Sequence, residues 1–398
     1  MQKRILFLGG AASQIPPIVY AKEQGHYVIT CDYLPENPAH KYADEYYNIS
    51  TTDKELVLNL ARELKIDGIV AYASDPAAPT QAYVGNKLGL PSNPYKSVLI
   101  LTRKDLFRDF LKNNNFFVPK SNSFHTFKEA QMWLAELKMP VIIKPIDSSG
   151  SKGITKIEAT DEFQVAFEYA LQYSKIKKVI IEEFLIRDSY QIGGDGFIVD
   201  GQLVFSGMTN THFDSSCNSL APIGGSLPSV LSKDKIEAVN RELQRLLTLL
   251  NMKQGALNFE FQYDASGNIM IIEVAARNGG NRIPELINYA MNVDMIKYTV
   301  DSALGIDCSD IRTKEVEGFY SYYVLHALKN GTMLNIHYSN EIKKHILKEF
   351  IYFKTGESVM KFNSSDCTVG LLIMKFSSQK EMLHKMDNMN NYIKVEIE

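Results

Sequence analysis

The stretch Val141-Ile142-Ile143-Lys144-Pro145-Ile146-Asp147-Ser148-Ser149-Gly150-Ser151-Lys152-Gly153 is an apolar run that ends in a lysine and opens into small polar residues. Strand alternation would put another half-buried residue at position 144, and an ammonium buried there without a partner is costly. An anion is therefore expected beside Lys144. The residues that follow offer a place for it, since backbone N–H groups and hydroxyls between Asp147 and Gly153 can fold around phosphate oxygens. A plain hairpin turn is the other reading of such a composition. The Lys-Pro step ahead of it favours the anion.

Toward the C-terminus, Val179-Ile180-Ile181-Glu182-Glu183-Phe184-Leu185 is a second apolar strand, running into two acids and a hydrophobic pair. It reads as a hinge that offers backbone groups to a purine edge while Leu185 covers the ring, or as a strand end with solvated glutamates. Glu260 and Glu273 each interrupt an apolar run, and Asp264-Ala265-Ser266-Gly267-Asn268 between them has the composition of a hairpin turn. Such a hairpin brings both carboxylates to one face. They repel unless a cation lies between them, and hard oxygen ligands beside phosphate favour magnesium. Arg277 follows four residues after Glu273, where its fork can hold a carboxylate or a transferring phosphoryl group. A structural salt bridge is the alternative for any one of these charges.

Toward the N-terminus, short β-rich runs at 5–8, 27–31 and 68–72 alternate with helical patterns at 15–24 and 54–64, the signature of a doubly wound parallel sheet. Ligands gather beyond the carboxyl ends of such strands. The residues there are Gly9, Gly10, Ser13, Asp32, Ser74 and Asp75. Gly9-Gly10-Ala11-Ala12-Ser13 lacks the third glycine of a dinucleotide fingerprint, so nicotinamide binding is disfavoured. A ligand-free strand-to-helix turn stays open. Asp32 suits a hydroxyl or amine, or a cap on its own loop.

The Pro-rich break at 89–94 ends this region, and helices across 95–113 carry Arg103, Lys104 and Arg108. An α+β region follows, with helices at 127–138, 162–174 and 233–250 and strands at 197–199 and 203–208. The segment 209–229 reads as a polar loop whose part from Asp214 to Ser226 has the length of a substrate-gating or specificity loop, with His212 as a substrate contact or a surface histidine. After residue 315 the alternation resumes as a small α/β appendix without a chemical constellation. Domains are expected at 1–94, 95–314 and 315–398.

At 398 residues, with 43 Lys plus Arg against 46 Asp plus Glu, the chain can bury two or three cores and has no general attraction to polyanions. Nucleic acid is not the expected partner. The four cysteines, Cys31, Cys217, Cys308 and Cys367, form neither a CxxC pair nor a His-spaced cluster, so their spacing gives no zinc or disulfide framework. The apolar run at 5–8 is too short for a signal peptide and nothing reaches the roughly 20 residues of a membrane span. A cytoplasmic location is expected.

In order and spacing, Lys104, the Lys144-Pro145 strand, the Ser/Gly loop, the Glu182-Glu183-Phe184-Leu185 hinge and the Glu260 and Glu273-to-Arg277 strands resemble the ATP-grasp superfamily, in its carboxylate-amine ligase branch. The resemblance spans about residues 1–310. It implies that Lys104 and Lys144 contact ATP phosphates, that Ser149, Gly150 and Gly153 close over them, and that Glu182, Glu183, Phe184 and Leu185 border adenine. It implies magnesium, or manganese, on Glu260 and Glu273, and Arg277 stabilising an acyl-phosphate transition state. Gly10, Asp32, Ser74, Asp75, His212, Gly279 and Gly280 join Arg277 as expected substrate contacts. The family's usual asparagine two residues after the second glutamate is Ala275 here, leaving Asn278, Asn258 or water to replace it. The implied activity joins a small-molecule carboxylate to an amine, with a homodimer left open. Carboxylation or carbamoylation through carboxyphosphate, and nucleotide binding without catalysis, are the alternatives.

Overall fold

The computed structural model describes residues 2–187 and 189–398. Arg4–Leu8 pairs in parallel with Tyr27–Cys31 on one side and Gly68–Val70 on the other, and Glu45–Tyr47 extends the edge. The helices Lys54–Leu64 and Ala78–Leu88 bury Val57, Ala61, Ala82 and Val84 on one face of this sheet. On the other face, Ile15–Glu23 is joined by Met295–Ala303, a helix from far along the chain, with Ile18, Val300 and Ala303 in contact. The expected doubly wound sheet is thus closed by a late element that its own sequence does not announce.

A second, antiparallel sheet runs in the order Ser121–Phe124, Val179–Glu183, Val141–Pro145, Thr155–Ile157. Its period of two sorts the side chains. Val141, Ile143, Val179 and Ile181 pack under the helices Phe127–Leu134 and Phe163–Gln172, where Phe127, Phe163 and Phe167 meet edge-on or tilted. Ile142, Lys144 and Glu182 face the other way, into a cleft.

The floor of that cleft is an eight-stranded sheet, in the order Ile269–Ala275, Gly255–Tyr263, Gln191–Val199, Gln202–Asp214, Asn218–Leu227, Phe319–His326, Thr368–Phe376 and Ile346–Ile351. Leu257, Phe259 and Phe261 pack in one core with Leu243 and Leu246 of the helix Lys233–Leu249, so Asn258 and Glu260 between them take the cleft face. The last three strands come from beyond residue 315 and share one hydrophobic core with the middle of the chain, from Phe197 to Ile393. Among the described residues no helix is long and apolar enough to cross a membrane.

The segment expected as a polar loop at 209–229 is instead a hairpin, Gln202–Asp214 against Asn218–Leu227. Its composition hides the strands because the face turned from the cleft bonds polar partners. Asn210 and His212 turn to Ser226 and to Asp387 of the helix Gln379–Asp387, while Thr209, Thr211 and Phe213 face the cleft.

Candidate active site

The two antiparallel sheets enclose a cleft of about 340 Å³, which the parallel sheet closes at one end with Ala73 and Asp75. Ile142, Ile154, Phe184, Leu185, Met270 and Ile272 give one part of it apolar walls suited to a flat ring. The rest is lined by polar and charged residues, among them Lys104, Arg108, Lys144, Glu182, Glu260, Glu273 and Arg277.

Lys144 is 8% exposed and meets Glu182 Oε2 at 2.6 Å. Glu182 also accepts from Arg108 Nε at 2.6 Å, and Arg108 donates onward to the carbonyls of Ile271 and Ile272. One carboxylate therefore serves two buried cations. Burial works to raise the pKa of Glu182, but Arg108 and then Lys144 outweigh it and hold the carboxyl at about 2. Burial pulls Lys144 down; the Glu182 carboxylate opposes this and Arg108 adds to it. The anion expected beside Lys144 is present as Glu182, yet the trio keeps one surplus positive charge facing the cleft. A phosphate would neutralise it.

The polar loop follows directly. Gly150, Ser151 and Gly153 adopt φ of +67°, +62° and +74°. A Cβ on Gly150 would meet Ser365 Oγ at 2.1 Å, and Ser365 N–H donates to the Gly150 carbonyl at 3.1 Å, so the loop needs glycine to lie against the C-terminal segment. Lys104, the first residue of the helix Lys104–Asn113, donates to the Ser148 carbonyl at 2.6 Å and stands 4.0 Å from Glu273.

Glu260 and Glu273 are register partners across the hairpin Gly255–Tyr263 and Ile269–Ala275. Gln191 Nε2 donates to Glu260 Oε2 at 3.0 Å. Burial and then the Glu273 carboxylate push Glu260 well above the usual carboxylate range, against the pull of Arg277, Lys144 and Lys104. A pair strained in this way fits a divalent cation, which would satisfy both oxygens at once. Asn258 lies opposite Ala275, on the same face as Glu260. Its amide NH2 is held by the Gly194 carbonyl and by Asp195 Oδ1, which turns its carbonyl oxygen into the end available for a ligand. Asn278 is turned away, fully buried, with Oδ1 accepting from Thr299.

Arg277 is engaged side-on by Asp75, at 2.8 and 2.7 Å, so the parallel sheet and the Glu273 strand meet at the cleft through a two-point ion pair. The turn after it is fixed by Asp195, which is fully buried and takes the Gly279 N–H at 2.9 Å on each oxygen. Burial pushes Asp195 up to about 7, even though Gly279 N–H, the Asn258 amide and Arg277 favour its charged form.

Of the residues named from sequence, Lys104, Lys144, Ser149, Gly150, Glu182, Glu183, Phe184, Leu185, Glu260, Glu273, Asp75, Arg277 and Gly280 line the cleft. Gly10, Asp32, Ser74, His212, Gly153, Asn278 and Gly279 do not. The Asp32 carboxylate is occupied by Gly10 N–H, Leu34 N–H and the Asn37 amide, and the His40 ring fills the space over Gly10. Ser74 gives its carbonyl to the amides of Ala77 and Ala78 ahead of the helix Ala78–Leu88. His212 is 2% exposed and sits between Ser226 and Asp387, on the far face of its strand. Sequence reading gave no site role to Arg108, Gln191, Asp195, Arg187 or Tyr322. Asp195 was the most accessible of these to it, as an acid set in the apolar and glycine run 192–198.

Residues 137–285 match the family model described as ATP-grasp domain. An L-arginine-specific L-amino acid ligase of Bacillus subtilis is 22% identical over 356 residues, 86% of this chain and 84% of that protein. A formate-dependent phosphoribosylglycinamide formyltransferase of Bacteroides thetaiotaomicron is 29% identical over 196 residues, 47% of this chain and 49% of that protein. The chain spans about half the length of several curated relatives it matches. Among solved structures, an L-amino acid ligase from Bacillus licheniformis superposes with a TM-score of 0.83 at 18% identity, covering 100% of this chain and 99% of the other.

Proposed function

We propose, on the premise that this chain has the ATP-grasp fold and carries an ATP-grasp domain, that it is an ATP- and magnesium-dependent ligase joining a small carboxylate to an amine. The observation that carries the reading is the charge layout of the cleft, with a surplus-cation trio at one end and two facing carboxylates at the other. The apolar slot by Phe184 and Leu185 would hold the adenine of ATP, and Lys144, Lys104 and the loop at Gly150 would hold its phosphates, toward Glu260 and Glu273.

The carboxylate pair would hold magnesium or manganese, with the Asn258 carbonyl in the role that Ala275 cannot fill. Bound there, the ion would neutralise charge on the phosphates during transfer. The chain's own residues do the rest by position and charge. Lys144 and Lys104 neutralise phosphate oxygens, and Arg277 holds the substrate carboxylate or the transferring phosphoryl group, with Asp75 fixing the plane of its guanidinium. The substrate carboxylate attacks the terminal phosphorus, releasing ADP, and the amine then displaces phosphate from the acyl phosphate. Asp195 holds the Arg277 turn in place from beneath. ATP is a cytoplasmic substrate, and a cytoplasmic setting with small-molecule partners belongs to the same reading.

The test is ADP and phosphate release from ATP with magnesium across amino acids in pairs and acids with amines. Release that needs both an acid and an amine, and that falls at least a hundredfold in Glu273→Gln, is the expected result. Release driven by bicarbonate alone would move the reading to carboxyphosphate chemistry. Nucleotide binding without turnover across the panel would contradict it.

A further inference from the structure

The hairpin that walls the cleft carries another set of donors at its turn. Asp214 Oδ1 takes the Ser216 N–H at 2.8 Å and its hydroxyl at 2.6 Å, while Cys217 N–H donates to the Asp214 carbonyl at 3.3 Å. These bonds bring a carboxylate and a thiol together. His326, 112 residues further on, ends the strand Phe319–His326 where its register shifts, and its Nε2 stands 3.0 Å from Asp214 Oδ2. A carboxylate oxygen, the thiol sulfur and an imidazole nitrogen all lie within 4.8 Å of one another.

The surroundings orient these groups as outer partners orient metal ligands. His326 Nδ1 is 2.8 Å from the Val324 carbonyl, which can only accept, so that nitrogen carries a proton and Nε2 is the one turned to the group. Asn390 donates to Asp214 Oδ2 at 2.8 Å. Asp214 and His326 are buried, whereas Cys217 is only partly so, leaving a side open for a fourth ligand. The other three cysteines are buried. A mixed sulfur, nitrogen and oxygen set suits zinc or cobalt, and is a poor match for magnesium, which takes oxygen.

We infer that Asp214, Cys217 and His326 form a three-ligand site for a d-block divalent cation, zinc foremost, with water in the fourth position. It is separate from the Glu260–Glu273 pair and independent of the ligase reading. The ion ties the hairpin turn to the strand Phe319–His326. Leu220 on the same hairpin accepts the Ser151 hydroxyl of the anion loop at 3.1 Å, so the site braces the wall on which that loop rests. The competing account is a plain Asp214–His326 ion pair beside an idle thiol.

Metal-free full-length protein titrated with Co²⁺ distinguishes the two by near-ultraviolet and visible absorption. One equivalent is expected to raise a thiolate-to-cobalt charge-transfer band, which Zn²⁺ then displaces. Cys217→Ser, a near-isosteric change at a partly exposed position, should lose the band while keeping the wild-type circular dichroism. Asn390→Ala should bind Co²⁺ about tenfold more weakly, and Glu273→Gln should keep the band. Wild-type protein without a charge-transfer band in excess Co²⁺, or a band that survives Cys217→Ser, would overturn the site.

Discussion

The two ends of the cleft solve the burial of carboxylates in opposite ways. At one end Glu182 lies between Arg108 and Lys144, and its carboxyl is held at about 2. At the other, Glu260 faces Glu273 and is pushed up by burial and by that neighbour. The first group is completed by the protein itself and ties the strand Val179–Glu183, through Arg108, to the strand Ile269–Ala275. In the proposed reading, the second would be completed by a divalent cation that arrives with the nucleotide. Removing a carboxylate should therefore damage stability at one end and chemistry at the other.

The largest expected effect is Glu182→Gln. It strands two buried cations and should cost about 3–5 kcal/mol in urea unfolding. The same residue sets an acid limit. Its folded value lies below the unfolded one, so its contribution is complete above about pH 4.5 and is lost as pH falls toward 2. That contribution is about 3 kcal/mol, and the wild-type loss over this window should shrink in Glu182→Gln.

Glu273→Gln is the mirror case. Turnover should fall at least a hundredfold, while the urea midpoint stays the same or rises because a repulsion has gone. A smaller effect is expected for Asn258→Ala, about a tenfold rise in the magnesium concentration needed for half-maximal turnover. Adding Ala275→Asn to that variant should recover part of the loss, because the two positions face each other across the hairpin. No recovery would mean that Asn258 acts only through Asp195.

Much of this comparison was legible in the sequence where a charge broke an apolar period. Lys144, Glu260 and Glu273 each interrupt a strand, and strands of that kind leave few places for a charge except a ligand-facing one. What was not legible came from contacts between distant segments. Glu182 read as hinge, although its side chain serves Lys144 and Arg108, 38 and 74 residues away. The part of the hairpin at 209–229 read as a loop because its back face is satisfied by Asp387 and Asn390, near the end of the chain. His212 was drawn toward substrate for the same reason. Asp32 and Gly10 had the right position beyond their strands, but local bonds in the Asp32–Asn37 loop use them up.

The central claim is that a cation completes the Glu260–Glu273 pair only together with a nucleotide. Thermal unfolding of wild type and Glu273→Gln, with magnesium alone, ATP with chelator, and ATP with magnesium, tests it most directly. Saturation at a hundred times the dissociation constant stabilises by about 2.7 kcal/mol. The account predicts a rise of that size for wild type with ATP and magnesium, a much smaller one without the metal, and no metal-dependent difference in Glu273→Gln. An equal rise with and without magnesium in both proteins would contradict it.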